Sequence, residues 1–328
     1  IALIPALLFG MYNIGYQNAA AAGKLAETGF WSMFLYGFLL VLPKIVVSYV
    51  VGLGIEFAVA QWKKEEIQEG YLVSGILIPL IVPVNCPLWM LALAVAFSVI
   101  ICKEIFGGTG MNIFNPALIA RAFLFFSYPT SMSGDKVWVA GKEVFGLGYN
   151  LPDAATMATP LGEVGAGLQP TASLSDMIVG LIPGSIGETS VIAIAIGALI
   201  LLYTQIASIR TMTSVFVGGV FVAVLFNMAG MEGNAVANMP WYEHIVTGGF
   251  CFGAVFMATD PVTSSRTERG QYVYGFLIGA LAILIRVLNP GYPEGMMLAI
   301  LFMNMFAPLI DYCVIQRNIN KRMKRVQK

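Results

Sequence analysis

Charge is scarce in this sequence. Only 11% of its 328 residues are charged, and 18 cations balance 18 anions. With no net field, nothing global attracts a nucleic acid. Histidine occurs once, at His244, and Cys86, Cys102, Cys251 and Cys313 stand singly with no C-x-x-C spacing. That argues against a metal or iron-sulfur centre built by this chain alone. The cysteines read instead as small apolar core residues, with a part in a site shared with another subunit left open. No G-x-G-x-x-G follows a strand, so a dinucleotide fingerprint is missing. No ten-residue alternating pattern repeats, which excludes a transmembrane barrel.

Apolar residues fill the space. They make up 58% of the chain, the mean hydropathy is +0.80, and many runs approach the roughly 20 residues that a helix needs to cross a bilayer. The fold class is therefore all-α and integral to the membrane. The first residue, Ile1, already lies in an apolar run, as if a native N-terminal segment were missing. Ten membrane segments are predicted: 3–22, 36–61, 71–83, 87–106, 112–127, 190–207, 212–229, 244–257, 272–288 and 295–315, the third and eighth being short.

The C-terminal QRNINKRMKRVQK collects Arg317, Lys321, Arg322, Lys324, Arg325 and Lys328, which places it in the cytoplasm by the positive-inside rule. Counting back, Arg266, Arg269, Arg210, Lys103, Lys63 and Lys64 also fall inside, while Lys24, Lys136 and Lys142 fall outside. Both termini are then cytoplasmic, and the loop 128–189 is external. EGYLVSGILIPLIVPVNCP and HIVTGGFCFGAVFMATDP are both short, glycine-bearing apolar segments ending in a polar, proline-containing break. The expected organisation is a first five-helix repeat over 1–127, an external loop over 128–189, a second, inverted five-helix repeat over 190–315 and a basic tail over 316–328. Such repeats place sites between the halves, where broken helices line a cavity.

Four motifs carry candidate chemistry. In GGTGMNIFNPALIAR, Gly107, Gly108 and Gly110 allow close backbone approach, and Asn112 and Asn115 offer donors and acceptors suited to the polar edge of a heterocycle. The plainer reading is a tight turn capped by Asn ahead of Pro116. GSIGETS puts Ser185 and Glu188 at capping-box spacing, and a helix start of this kind also suits a phosphate. Asp260, Asp311 and Glu56 are carboxylates at membrane depth, each a functional candidate by default. Arg121 and Arg286 invite the same weighing, since long cations near helix ends can snorkel, and His244, beside Trp241 and Tyr242, is read as a neighbour of an interfacial aromatic belt. The fourth motif is DAATMATPLGE, in which Thr156 and Thr159 sit among small residues.

Taken together, GGTGMNIFNPALIARAFLFFSYP, MSGDKVW, DAATMATPL, GSIGETS, FMATDPVTSS and PEGMMLAILFMNMFAPLIDYCVIQRNINKRMKR resemble the family of B subunits of the sodium-translocating NADH:quinone oxidoreductases. The resemblance covers nearly the whole chain. It implies FMN joined through its phosphate to the threonine of a D-x-x-[ST]-[GS]-A-T motif. Asp153, Thr156, Ala158 and Thr159 match that motif, with Met157 as the departure, so Thr159 is the implied carrier and Thr156 the alternative. A threonine without an adjacent base is a poor nucleophile, which fits attachment by a separate enzyme. Gly184, Ser185 and Gly187, the helix start suited to a phosphate, fall by topology on the same side as Thr159 and are the candidates for the FMN vicinity.

The resemblance further implies a non-covalent riboflavin at Asn112 and Asn115, with Gly107, Gly108 and Trp138 as neighbours. Quinone, ubiquinone or menaquinone, would bind near Gly52 and Glu56, where Leu53 replaces a second glycine found in relatives. Glu56, Asp260 and Asp311 are the candidates for the sodium route. The family assembles with the A, C, D, E and F subunits of a six-subunit respiratory complex, including flavin and iron-sulfur subunits, in the bacterial inner membrane, and exports Na+. The D subunit of the Rnf complex, a ferredoxin:NAD oxidoreductase, shares the fold and the flavin threonine. The PEGMMLAILF ending and the MSGDKVW loop are closer to the B subunits. Without the threonine motif, the same architecture reads as a flavin-free channel for a small polar solute.

Overall fold

The structure is a computed structural model that describes residues 1–64, 66, 70–152, 157–231, 233–289, 291 and 294–326. Among these residues the regular structure is helical, the single β feature being an isolated bridge between Val144 and Leu147. The helices are α1 (Ile4–Ala21), α2 (Phe30–Lys63), α3 (Tyr71–Leu80), α4 (Leu88–Phe97), α5 (Pro116–Ser127), α6 (Pro129–Met132), α7 (Pro160–Gly165), α8 (Leu174–Val179), α9 (Val191–Tyr203), α10 (Ile209–Ala229), α11 (Trp241–Val246), α12 (Phe250–Phe252), α13 (Glu268–Leu288) and α14 (Met296–Val326). π-Helical turns extend α4 over Ser98–Glu104 and α12 over Gly253–Met257. Among the described residues four helices are long and apolar enough to cross a membrane: α2, α10, α13 and α14. The helix α14 runs on past residue 316, so Arg317, Lys321, Arg322, Lys324 and Arg325 stand on it.

Polar residues set several helix starts. Asn115 caps α5 by accepting from the Ala117 and Leu118 N–H groups, and Pro116 follows where no donor is needed. Ser190, Ser208 and Thr267 cap α9, α10 and α13 through their hydroxyls. The cap of α9 corrects the reading of GSIGETS. Ser185 does not cap a helix, and its partner Glu188 is used elsewhere.

Packing between the long helices depends on missing side chains. A Cβ on Gly37 of α2 would overlap the Met11 carbonyl oxygen of α1, and one on Gly279 of α13 would overlap the Val215 carbonyl oxygen of α10. In a membrane, association rests on such close backbone approach rather than on hydrophobic transfer. The core is continuous, running from Tyr36 and Tyr71 through Leu118 and Leu124 to Phe250, Tyr274 and Ile300.

Of the cysteines, Cys86, Cys102 and Cys251 are buried as expected, but Cys313 is exposed on α14. His244 also departs from expectation. Trp241 and Tyr242 are exposed, whereas His244 itself is fully buried, its carbonyl accepting from Arg286 Nη1 at 2.6 Å. It faces the protein rather than an interface because α11 is anchored to α13 at that carbonyl.

Candidate functional site

Thr159 stands on extended backbone at the start of α7, half-buried, with its hydroxyl oxygen accepting from the Gly162 N–H at 3.1 Å. Glu163 is the nearest carboxylate in sequence, but it is committed to Thr171, accepting from its N–H at 2.8 Å and its hydroxyl at 2.9 Å. It therefore gives Thr159 no general base. Asp153 and Thr156, the rest of the threonine motif, lie outside the described residues.

Thr159 lines a cavity of about 780 Å³, inside the roughly 300–1,000 Å³ range of ligand pockets. Trp138, Gly184 and Ser185 share its wall, together with Arg121 and Phe125 of α5, Glu188, Arg286 and Glu294. The lining includes neither Asn112 nor Asn115, so Trp138 stands with Thr159 rather than with those two residues. Gly187 packs against α3 instead: its N–H donates to the Leu80 carbonyl at 2.7 Å, and a Cβ there would meet the Leu80 side chain at 2.8 Å.

The break between α3 and α4 holds two walls of this cavity. Asn85 donates its side-chain amide to the carbonyls of Lys136 and Val139, both at 2.8 Å, and its N–H to Val137 at 3.3 Å, fixing the loop that carries Trp138. The Val82 carbonyl accepts from the Ile186 N–H at 3.3 Å, and with the Leu80 carbonyl it fixes the 184–188 loop. The buried Lys44 of α2 secures the same break through the Cys86 carbonyl at 2.5 Å. The loop before α7 is tied in by Met157, whose N–H donates to the Asp135 carbonyl at 2.9 Å.

The two arginines do not snorkel. Arg121 donates from Nη1 to Glu188 Oε1 at 2.5 Å and from Nη2 to Ser185 Oγ at 3.4 Å, and it also pairs with Glu294. The Arg121, Glu188 and Glu294 side chains are 7%, 6% and 21% exposed. Burial raises the Glu188 carboxyl above the usual carboxylate range, and the neighbouring Arg121 opposes the rise. Arg286 donates to three carbonyls: His244 at 2.6 Å, Thr247 at 3.3 Å and Glu294 at 3.3 Å. Both guanidiniums turn inward because acceptors from other elements, His244 and Thr247 for Arg286 and Glu188 and Glu294 for Arg121, converge on them.

A second polar cluster surrounds the first turn of α5, about 9 Å of helix rise from Arg121. The glycine turn before it holds Gly107, Gly108 and Gly110 at φ 113°, 88° and 87°, a region that favours glycine. Asn112 donates to the Phe114 carbonyl at 2.9 Å. While its oxygen caps α5, Asn115 donates from Nδ2 to Asp260 Oδ2 at 3.3 Å, joining residues 145 positions apart. Asp260 also accepts from the Val262 N–H at 3.1 Å and the Thr263 hydroxyl at 3.0 Å.

The other candidates are separately engaged. Gly52 is where the Tyr71 ring crosses α2; a Cβ would overlap it, and the Tyr71 hydroxyl donates to the Ser48 carbonyl at 3.0 Å. Glu56 forms a buried ion pair with Lys103 of the π-helical turn, their side chains 6% and 5% exposed. Asp311 clamps the turn into α13, accepting from the Ser265 hydroxyl at 2.6 Å, the Arg266 N–H at 2.8 Å and the Thr267 N–H at 3.0 Å. Glu56, Asp260 and Asp311 thus each serve a local set of donors.

Lys44, Asn85, Lys103 and Glu294 are participants that the sequence reading passed over as site residues. Only the isolated Lys44 within an apolar run carried a usable signal, since an intramembrane cation needs an acceptor.

The model of the NQR2, RnfD, RnfE family matches residues 1–320. Relatives named as the B subunit of Na(+)-translocating NADH-quinone reductase are similar throughout. The Chromohalobacter salexigens protein is 47% identical, the match covering 98% of this chain and 81% of the relative. The protein of Klebsiella pneumoniae strain 342 is 45% identical, covering 99% and 85%. That of Neisseria meningitidis serogroup B is 44% identical, covering 99% and 84%. On a family match over residues 1–320 and relatives of this similarity, the chain belongs to the NQR2, RnfD, RnfE family.

Proposed function

We propose that this chain is the B subunit of a sodium-translocating NADH:quinone oxidoreductase and carries FMN as a phosphoester on Thr159. The observation that carries the reading is the placement of the Thr159 hydroxyl on the wall of a cavity of about 780 Å³ that also presents Trp138 and the buried Arg121. The residues suit the group: an aromatic ring, a guanidinium, a serine hydroxyl and a glycine-bearing loop surround a volume of ligand size. Bound there, FMN would supply electron transfer. Esterification keeps an acceptor lone pair on the threonine oxygen, so the cap on Gly162 survives attachment. Glu163, the described carboxylate nearest Thr159 in sequence, is held by Thr171, which supports attachment by a separate transferase.

In the fuller reading, the chain folds as ten membrane segments in two inverted five-helix repeats in the bacterial inner membrane, with both termini cytoplasmic and Thr159 on the outer side. Riboflavin binds near Asn112 and Asn115, at the other side of α5 from the Thr159 cavity. The glycine turn at positive φ supports close approach of a ring there. Electrons arrive from partner flavin and iron-sulfur subunits and leave toward quinone near Gly52 and Glu56, coupled to Na+ export. Glu56, Asp260 and Asp311 remain the candidates for the ion route, because hard cations take oxygen ligands.

The test is denaturing electrophoresis read by in-gel flavin fluorescence, after expression with a flavin transferase. The reading expects a fluorescent band that disappears in Thr159→Val. A dark native band would remove the carrier role and favour a flavin-free channel, to be examined by solute flux in liposomes.

A further inference from the structure

The Thr159 cavity contains one feature that neither attachment nor positioning of a flavin requires. Arg121 rises from the middle of α5 between two carboxylates, Glu188 at 2.5 Å and Glu294, and all three line the cavity. The triad holds one cation and two anions. Arg286, the other cavity arginine, donates to backbone carbonyls of His244, Thr247 and Glu294.

A salt-bridged arginine at such depth is poorly explained by stability. The desolvation of buried ions commonly offsets their attraction, and an apolar residue of similar volume often does as well. The room for it is nonetheless kept open: a Cβ on Gly249 would meet Glu188 Oε1 at 2.9 Å. Charges held among buried groups act on a charge that appears beside them more strongly than charges in bulk water do. Reduction is the event that makes a bound flavin ring more negative.

We infer that the Arg121, Glu188 and Glu294 triad sets the reduction potential of the Thr159-linked flavin, the guanidinium favouring the reduced form and the two carboxylates opposing it. This inference rests on the flavin reading given above. Arg121 is a positioning and electrostatic residue in this role, fixed by Glu188 and Ser185 so that it cannot swing away when the ring changes charge. Arginine suits that task because it stays protonated under all working conditions.

The experiment is a spectroscopic redox titration of the intact complex, in wild type and in Glu294→Gln, Glu188→Gln and Arg121→Gln. The Thr159-linked component is the one missing from the Thr159→Val complex. Removing either carboxylate should raise its midpoint, and removing the guanidinium should lower it. Each change should alter the oxidised-to-reduced ratio at fixed potential at least tenfold, or about 59 mV for a one-electron couple. Glu294→Gln is the gentlest change, its side chain being 21% exposed, and it decides the matter if the Arg121 variant fails to assemble. A purely structural triad would leave the midpoint unmoved in complexes that retain the flavin, and that result overturns the inference alone. A wild-type band without covalent flavin overturns the flavin reading and the inference together.

Discussion

The side-chain amide of Asn85 donates to the Lys136 carbonyl at 2.8 Å across 51 positions of sequence. With its second bond to Val139, this one residue fastens the loop of Trp138 to the break after α3. Asn85→Ala deletes both bonds, each worth about 0.5–1.5 kcal/mol. The exposed Lys136 and Lys142 on that loop should then be cut faster by trypsin in the folded protein. An unchanged cleavage rate would show that the loop is held by other contacts.

Close helix approach gives a sharp contrast between glycines. Gly279→Val should destabilise the α10 and α13 pair by at least about 1–3 kcal/mol, since the overlap is with the Val215 backbone carbonyl, which cannot move aside cheaply. Gly54→Ala in α2 meets nothing within 4 Å and should gain about 0.5–1 kcal/mol from helix propensity. Thermal denaturation in detergent measures both, and equal effects would contradict the packing described.

The ion pair of Glu56 and Lys103 predicts non-additivity. Glu56→Gln leaves a buried ammonium without its counter-ion and should cost about 3–5 kcal/mol. Glu56→Gln with Lys103→Met should recover most of that. Sodium-dependent turnover in the stable double variant then separates the ion route from folding: activity lost despite restored stability supports a route through Glu56, and activity regained removes Glu56 from it.

Asp311 is expected to act on the start of α13. Its carboxylate gathers donors from Ser265, Arg266 and Thr267, and Asp311→Ala leaves them without that acceptor at a cost of about 2–3 kcal/mol. Hydrogen exchange should speed up at the amides of 266–270 while the middle of α13 stays protected. Faster exchange along the entire helix would mean that Asp311 supports more than the turn.

The all-helical class and the long helices α2, α10, α13 and α14 were legible because an apolar run long enough to cross a bilayer has few other uses, and Asn115 before Pro116 is a local cap signal. The Thr159 cavity was legible at its threonine and at Gly184 and Ser185, but not at its charged wall. Arg121 and Arg286 in apolar runs look the same whether they snorkel or turn inward. What decides is the position of Glu188 and Glu294, 67 and 173 residues from Arg121. Ser185 and Glu188 showed capping-box spacing, but a long-range charge took the glutamate, and Ser190 capped the helix instead. His244 was misread for a similar reason. Its exposed aromatic neighbours suggested an interface, while a distant arginine holds its backbone inside.

The central claim, a flavin covalently attached at Thr159, is tested most directly by peptide mass spectrometry of the chain purified from membranes that contain the flavin transferase. A proteolytic fragment spanning Thr159 should be heavier by FMN less one water, with fragmentation placing the added mass on Thr159. An unmodified fragment, or added mass on Thr156, would contradict that assignment.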